Sequence, residues 1–538
     1  MRLTPRVVQL FLTVALLVLL LTIVRFLPLF GYTATPGSFS GATAFRYNQA
    51  FETGFDSSQP VPVYSSFDSG VNPARGEILY TPFQVIMSYV LGYNRYEGSL
   101  FETSIAESTS LTLAFLAIGW LWAGRIPVEV DRISTKWLRL LVISAFAAGT
   151  PTIILYLVGW NAAYGWYFIM LVVYLWHKDQ ATTKATAVSF ALTFALFGIY
   201  TTAALVLVIL ATFLAIFLRR RFSGIAVVVI VYGMAYFSYM SQLLFGEVLN
   251  LPKTISALLG FESRSSGLAY LATSSLPFKL LNGAIDIAIS VPLLLSIWPQ
   301  TKASTTNIAY QLPRACVASV AVFGLGAASA IGLLNGLIRG IEYGAVFSLI
   351  LIPLAYKGRS GRNRTLLATA LLTAILLSGA VQLTSPTVPG QYLTNQETAA
   401  PQWITTYDNS TVVVFTDFRL AGPLIASGYL RVVGVSGIDF SPAQVNSLLY
   451  DIYYSGNPCR AQLGLAAVRT STGQSYDLLM VSTRMTETFP AIKGYNDVYE
   501  AAPVGFEAPY IGNPSMTRLY DNGEVRLYGS APSGWNAC

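Results

Sequence analysis

The chain reads as a polytopic α-helical membrane protein of about eleven transmembrane helices that carries a C-terminal extracytoplasmic α/β domain. Three observations lead there. Of its 538 residues, 54% are hydrophobic and only 11% charged, against about 25% charged in soluble globular proteins. The mean hydropathy of +0.55 comes from several separate apolar runs of bilayer length, so the chain crosses more than once. Basic residues gather at alternate ends of those runs, as the excess of Lys and Arg on the cytoplasmic side requires.

The first run, residues 7 to 29, follows Arg2 and Arg6. It is longer than the apolar core of a signal peptide and holds Arg25 and Pro28 where a small-residue cleavage site belongs, so it reads as an uncleaved span. Further runs fall near 106–124, 138–159, 161–176, 223–245, 281–298, 315–338, 340–356 and 365–383. The stretch 185–218 is too long for one span. Lys184 precedes it and Arg219, Arg220 and Arg221 follow it, so both ends belong in the cytoplasm and a tight hairpin near Gly198 to Thr202 must divide it in two.

The charge pattern orients the whole. Segments assigned to the cytoplasm hold 17 basic residues, from Arg2 to Arg364, whereas the longer outer loops hold seven: Arg46, Arg75, Arg95, Lys253, Arg264, Lys279 and Arg339. The N-terminus is thus cytoplasmic and the C-terminal part outside. The predicted organisation is a transmembrane domain over 1–384, with a large first outer loop at about 30–105, and an extracytoplasmic α/β domain over 385–538. The second opens on a Ser-Pro-Thr-Val-Pro-Gly linker at 385–390 and shows β-type runs at Thr411–Phe415, Tyr429–Val435, Leu478–Val481 and Glu524–Tyr528, with a helical pattern at Ser441–Tyr453. Within Tyr520-Asp521-Asn522-Gly523-Glu524, Asn-Gly predicts a type I′ hairpin turn.

Composition excludes several functions. The net charge of +7 is scattered rather than gathered with aromatics into one patch, so no nucleic-acid partner is expected. The single histidine, His177, ends a run on the cytoplasmic side, which removes a Ser/His/Asp triad or a histidine-based metal site from the outer face. No P-loop, HExxH or CxxC pattern is present. Of three cysteines, Cys316 lies in an apolar run, while Cys459 and Cys538 can form one disulfide if the C-terminal domain faces an oxidising compartment.

Carboxylates remain for catalysis, and the first outer loop supplies Glu52, Asp56, Asp68 and Glu77 among Phe and Tyr residues. Aromatic faces pack on sugar rings and a carboxylate serves as general base, so this composition suits a sugar-handling site. Arg339, in Leu337-Ile338-Arg339-Gly340-Ile341-Glu342-Tyr343, separates two apolar runs at the outer surface, where a guanidinium fork holds a lipid phosphate or anchors the interface against Glu342. Arg264 and Arg75 are further candidates for the phosphate. Asp286 is an acid within a predicted span, near its outer end.

A cytoplasmic N-terminus, one span, a long acidic first outer loop, about ten more spans and an outer C-terminal domain resemble the GT-C superfamily of integral membrane glycosyltransferases. Val414-Phe415-Thr416-Asp417-Phe418-Arg419-Leu420 and Arg518-Leu519-Tyr520-Asp521-Asn522-Gly523-Glu524-Val525-Arg526-Leu527-Tyr528 are similar to segments in archaeal members. The resemblance implies a polyprenyl-phosphate sugar donor, a glycan or protein acceptor and a first-loop acid as base, which maps onto Glu52 or Asp56 with Asp68 behind. It also implies a later arginine on the donor phosphate, which maps onto Arg339 or Arg264. The chain lacks the WWDYG-type motif and DxD pattern of oligosaccharyltransferases, which disfavours that subclass and any obligatory divalent cation; no metal ligand or other cofactor is expected. The competing readings are a transporter or lipid flippase, for which only Asp286 speaks, and a non-catalytic cell-surface assembly protein.

Overall fold

The computed structural model describes residues 100–126, 132–148, 161–178, 183–218, 223–239, 308–331, 333–356 and 361–384, and in the C-terminal part 393–407, 412–416, 450–472, 477–486, 502–511 and 516–530, with shorter pieces elsewhere. These residues divide into two compact units, the second of which takes the chain from Pro386 onward.

The helices of the first unit coincide with the apolar runs. They are α1 (Leu100–Ala123), α2 (Arg132–Ala148), α3 (Asn161–Lys178), α4 (Thr183–Ile199), α5 (Thr201–Leu218), α6 (Ser223–Tyr239), α7 (Ile308–Ile331), α8 (Leu333–Tyr356) and α9 (Gly361–Thr384). The expected span at residues 7–29, and most of that at 281–298, lie outside the described residues. Among the described residues, no helix is long and apolar enough to cross a membrane.

The division of the 185–218 stretch falls at Tyr200, the single residue between α4 and α5. A straight helix would set Phe190 and Val208 about 27 Å apart along its axis. Instead Phe190 and Phe194 of α4 meet Tyr232 of α6 at 6.2 and 5.1 Å between ring centroids. Val208 of α5 reaches the next α6 residue, Gly233, where an added Cβ would lie 2.8 Å from its Cγ2. The chain therefore bends sharply at Tyr200. On α6 the inward residues include Ala226, Val229, Gly233 and Tyr236, while Val227, Val228, Val231 and Met234 form an exposed apolar stripe.

The expected boundary at Arg339 is corrected. Helix α7 ends at Ile331 and α8 begins at Leu333, so Arg339 lies inside α8, as its seventh residue. A charged side chain does not interrupt the backbone hydrogen-bond ladder, so polarity alone does not end a helix. Close packing holds α8 against α7: an added Cβ at Gly340 would lie 3.3 Å from the Gly324 Cα, and one at Gly344 3.9 Å from Val320 Cγ1. One turn on, Phe323 meets Tyr343 edge to face at 5.1 Å. Small residues at i and i+4 let two helix backbones approach in this way.

The C-terminal unit is a mixed five-stranded sheet with helices. Its strands are β1 (Val413–Phe415), β2 (Val432–Val433), β3 (Asp477–Ser482), β4 (Met516–Asp521) and β5 (Val525–Ser530), and the helices include α10 (Asn395–Tyr407) and α11 (Pro458–Thr472). The order is β2-β1-β3-β5-β4, parallel over the first three strands and antiparallel over the rest. β1 and the Leu478–Val481 part of β3 are apolar because both faces are covered, and they centre a core that includes Phe415, Tyr453, Leu479, Val481, Phe506 and Tyr528. All four expected β runs contain strands, and the expected hairpin turn implied the strand before it, which is β4; its extent was not read because Thr517, Arg518, Leu519 and Asp521 are all exposed and hide the alternation. Of the helical pattern at Ser441–Tyr453, the described part includes a π-helical turn at Tyr450–Tyr454.

The β4–β5 connection differs from a two-residue type I′ turn. Three residues, Asn522, Gly523 and Glu524, join the strands, and Gly523 takes φ 91°. A three-residue loop with glycine at the positive-φ position is the next commonest hairpin. The Asn522 carboxamide oxygen accepts from the Val525 amide at 2.8 Å, and its NH2 donates to the Gln396 carbonyl at 2.8 Å, which ties the turn to α10.

Candidate functional site

The residues expected to act as base, Glu52, Asp56 and Asp68, lie outside the described residues, as do Arg75, Arg264 and Asp286. For Arg339 the backbone alone is described. It precedes Gly340, where an added Cβ would lie 3.3 Å from the Gly324 Cα of α7. Cys459 is disulfide-bonded, whereas Cys316 is a buried free thiol; Cys538 lies outside the described residues. Among the described residues, no group of three or more His, Cys, Asp or Glu is placed to hold a metal ion.

Where α1 ends, aromatic and basic side chains interlock. Trp122 meets Tyr174 at 5.4 Å and His177 at 5.7 Å, and Arg125 lies over the Tyr174 ring at 5.2 Å. Arg139 donates to the Ile126 carbonyl at 3.0 Å and so closes the end of α1. His177 is thus packed against the Trp122 ring.

Two buried charge clusters organise the C-terminal unit. Thr394 caps α10: its hydroxyl accepts from the Glu397 amide at 3.1 Å, and the Glu397 carboxylate accepts from the Thr394 amide at 3.2 Å. This reciprocal pair is a capping box, legible as Thr-x-x-Glu. The same carboxylate, fully buried, accepts from Ser482 at 2.9 Å and pairs with Arg484. Thr394 in turn donates to Glu524 at 2.7 Å.

In the second cluster, Glu507 accepts from Arg526 at 2.5 Å and from the Tyr528 hydroxyl at 2.8 Å. Asp521 pairs with Arg518 at 2.9 Å and lies 3.6 Å from Arg526. Burial raises the Tyr528 phenol above its ordinary range, and its hydrogen bond to Glu507 adds to the rise. The hydrogen bond from Arg526 to Glu507 strengthens the hold of that guanidinium on its proton. No local motif announces this cluster, because its partners lie 19 and 21 residues apart in sequence. The polar residues of the Arg518–Tyr528 segment thus serve the hairpin, its turn and its attachment.

The fold so described, a bundle of apolar helices followed by a separate α/β unit, is similar to that of two solved proteins. The crystal structure of ArnT from Cupriavidus metallidurans bound to undecaprenyl phosphate is 12% identical, with a TM-score of 0.52 over 97% of this chain and 98% of that one. The oligosaccharyltransferase of Archaeoglobus fulgidus, tethered with an acceptor peptide containing the NVT sequon, is 9% identical, with a TM-score of 0.53 over 88% of this chain and 69% of that one. The same enzyme in complex with Zn and sulfate is 11% identical at a TM-score of 0.53, over 88% and 68%. No family model and no curated protein matches the sequence.

Proposed function

We propose that the chain is a membrane glycosyltransferase that moves a sugar from a polyprenyl-phosphate donor to a glycan or protein acceptor on the extracytoplasmic face. The observation that carries this reading is the likeness, over nearly the whole of both chains, to a structure with undecaprenyl phosphate bound. Exposed apolar stripes such as that on α6 fit a lipid surround, since a soluble protein keeps such patches small. The multi-pass topology, N-terminus inside and C-terminal domain outside, rests on the charge asymmetry of the loops.

In this mechanism Asp56 or Glu52, with Asp68 as the further candidate, accepts the proton of the acceptor nucleophile as it attacks the anomeric carbon. Arg339, assisted by Arg264 or Arg75, stabilises the negative charge on the departing lipid phosphate. No metal is assigned a role. The fold likeness to an oligosaccharyltransferase does not extend to the WWDYG-type motif, which this chain lacks. Cys538 is the partner assigned to Cys459, since Cys316 is free.

The test is sugar transfer from a radiolabelled polyprenyl-phosphate sugar by purified protein in lipid, with Asp56→Asn and Glu52→Gln beside the wild type. Loss of transfer in one folded variant identifies the base; wild-type rates in both refute the assignment. Neither turnover nor donor binding across several sugars would favour a transporter or an assembly protein.

A further inference from the structure

Among the described residues of the C-terminal unit, one short segment exposes only apolar positions. Residues 502–511, Ala-Pro-Val-Gly-Phe-Glu-Ala-Pro-Tyr-Ile, follow a run of tight turns, with the Phe506 amide bonded to the Pro503 carbonyl, Ala508 to Gly505 and Ile511 to Glu507. The inward side chains are large and fixed: Phe506 and Tyr510 join the core, and the Tyr510 hydroxyl donates to the Ile452 carbonyl at 2.7 Å. Glu507, the only charged residue in the segment, also turns inward, onto Arg526 and Tyr528. The exposed positions are Pro503, Val504, Gly505, Ala508 and Ile511, without a polar side chain among them. Val504 is 94% and Ile511 60% exposed.

Single exposed apolar residues are ordinary. Here Val504, Ala508 and Ile511 are exposed within eight residues, while Phe506, Glu507 and Tyr510 between them are buried. By contrast, the exposed positions of α10 are Asn395, Gln396, Gln402, Thr406 and Tyr407, nearly all polar. A segment that directs its one carboxylate inward and its valine outward is built for an apolar phase.

We propose that residues 502–511 are a lipid-contacting element, through which Val504, Ala508 and Ile511 enter the boundary between headgroups and acyl chains of the outer leaflet. Rigid inward anchors let the outward side chains enter lipid without unfolding the turns, the arrangement by which interfacial elements lie on a membrane. The bilayer is the occupant because the chain is tethered to it. α9 ends at Thr384 and the C-terminal unit is underway at Leu393, a connection that reaches at most about 32 Å. This step rests on the membrane reading of the first unit, but not on the identity of the sugar or the base.

The test uses the full-length protein in phosphatidylcholine nanodiscs. An environment-sensitive fluorophore is attached at Val504→Cys, Ile511→Cys or, as comparison, Leu463→Cys, which replaces an exposed leucine of α11 in the same unit. The introduced thiol is the reactive one, since Cys316 is buried and Cys459 is bonded. The expected result is a blue shift at 504 and 511, with loss of intensity when the lipid carries bromine on its acyl chains, and water-like emission at 463. Water-like emission at 504 overturns the proposal. So does a blue shift without bromine quenching, which means that protein covers the segment, and so does equal quenching at all three sites. Sugar transfer by the wild-type protein tests the enzymatic reading separately, so the two failures are distinguishable.

Discussion

Glu397 is a fully buried carboxylate that does two jobs, as the return arm of a helix cap and as the partner of Arg484. Removing one member of a buried pair leaves the other charge unpaired at a cost of about 3–5 kcal/mol. Glu397→Ala is expected to destabilise the C-terminal unit by that amount, seen as a lower midpoint in thermal or denaturant melts, whereas Thr394→Ala, which removes only the cap, costs about 1 kcal/mol. Tyr528 makes a pH prediction. Its phenol titrates above the usual tyrosine range in the folded state because burial and Glu507 favour the protonated form. The folded state thus holds a proton that the unfolded chain releases near pH 10, so the stabilisation is complete below about pH 10 and lost as pH rises beyond it. Melting temperatures should fall between pH 9 and 11, and fall less in Tyr528→Phe.

At the scale of elements, the α7–α8 pair depends on Gly340. A methyl group there meets the Gly324 Cα at 3.3 Å, a contact that only a small backbone shift relieves, and a leucine has no room. Gly340→Leu is expected to force α7 and α8 apart at a cost of about 1–3 kcal/mol, read as a lower melting temperature, and to abolish transfer by displacing the Arg339 backbone. Gly344→Ala, where the added carbon meets Val320 at an ordinary 3.9 Å, should be nearly silent. The apolar runs marked these helices because a period of 3.6 and a dearth of charge persist over many residues. The boundary between α7 and α8 was misplaced because a lone arginine looks like a loop in sequence, while the glycines that make the pair compact carry no hydropathy signal of their own.

For the whole molecule, the topology predicts which side of the membrane each part faces. Single cysteines introduced near residue 65 and in the 393–407 helix should react with a membrane-impermeant maleimide applied outside intact cells, and one near residue 129 should not. The reverse pattern would invert the orientation drawn from the basic residues. Reduction should matter to one unit only: opening the Cys459 disulfide is expected to destabilise the C-terminal unit by about 2–5 kcal/mol, seen as a lower midpoint in dithiothreitol.

The amino-acid sequence by itself determined the helical class, the approximate position of most described helices of the first unit, the bend near residue 200, and four strand runs with a hairpin at the last, because each rests on a local pattern of apolar spacing or turn residues. It also named the acids and arginines that suit sugar and phosphate chemistry. Only the tertiary structure decided that β4 completes the sheet, that Glu397 meets Arg484, that Glu507 meets Arg526 and Tyr528, and that residues 502–511 turn their apolar face outward. Those outcomes depend on pairings between residues distant in the chain, whose energies come from burial and from shared hydrogen bonds, and no stretch of sequence read alone contains both partners.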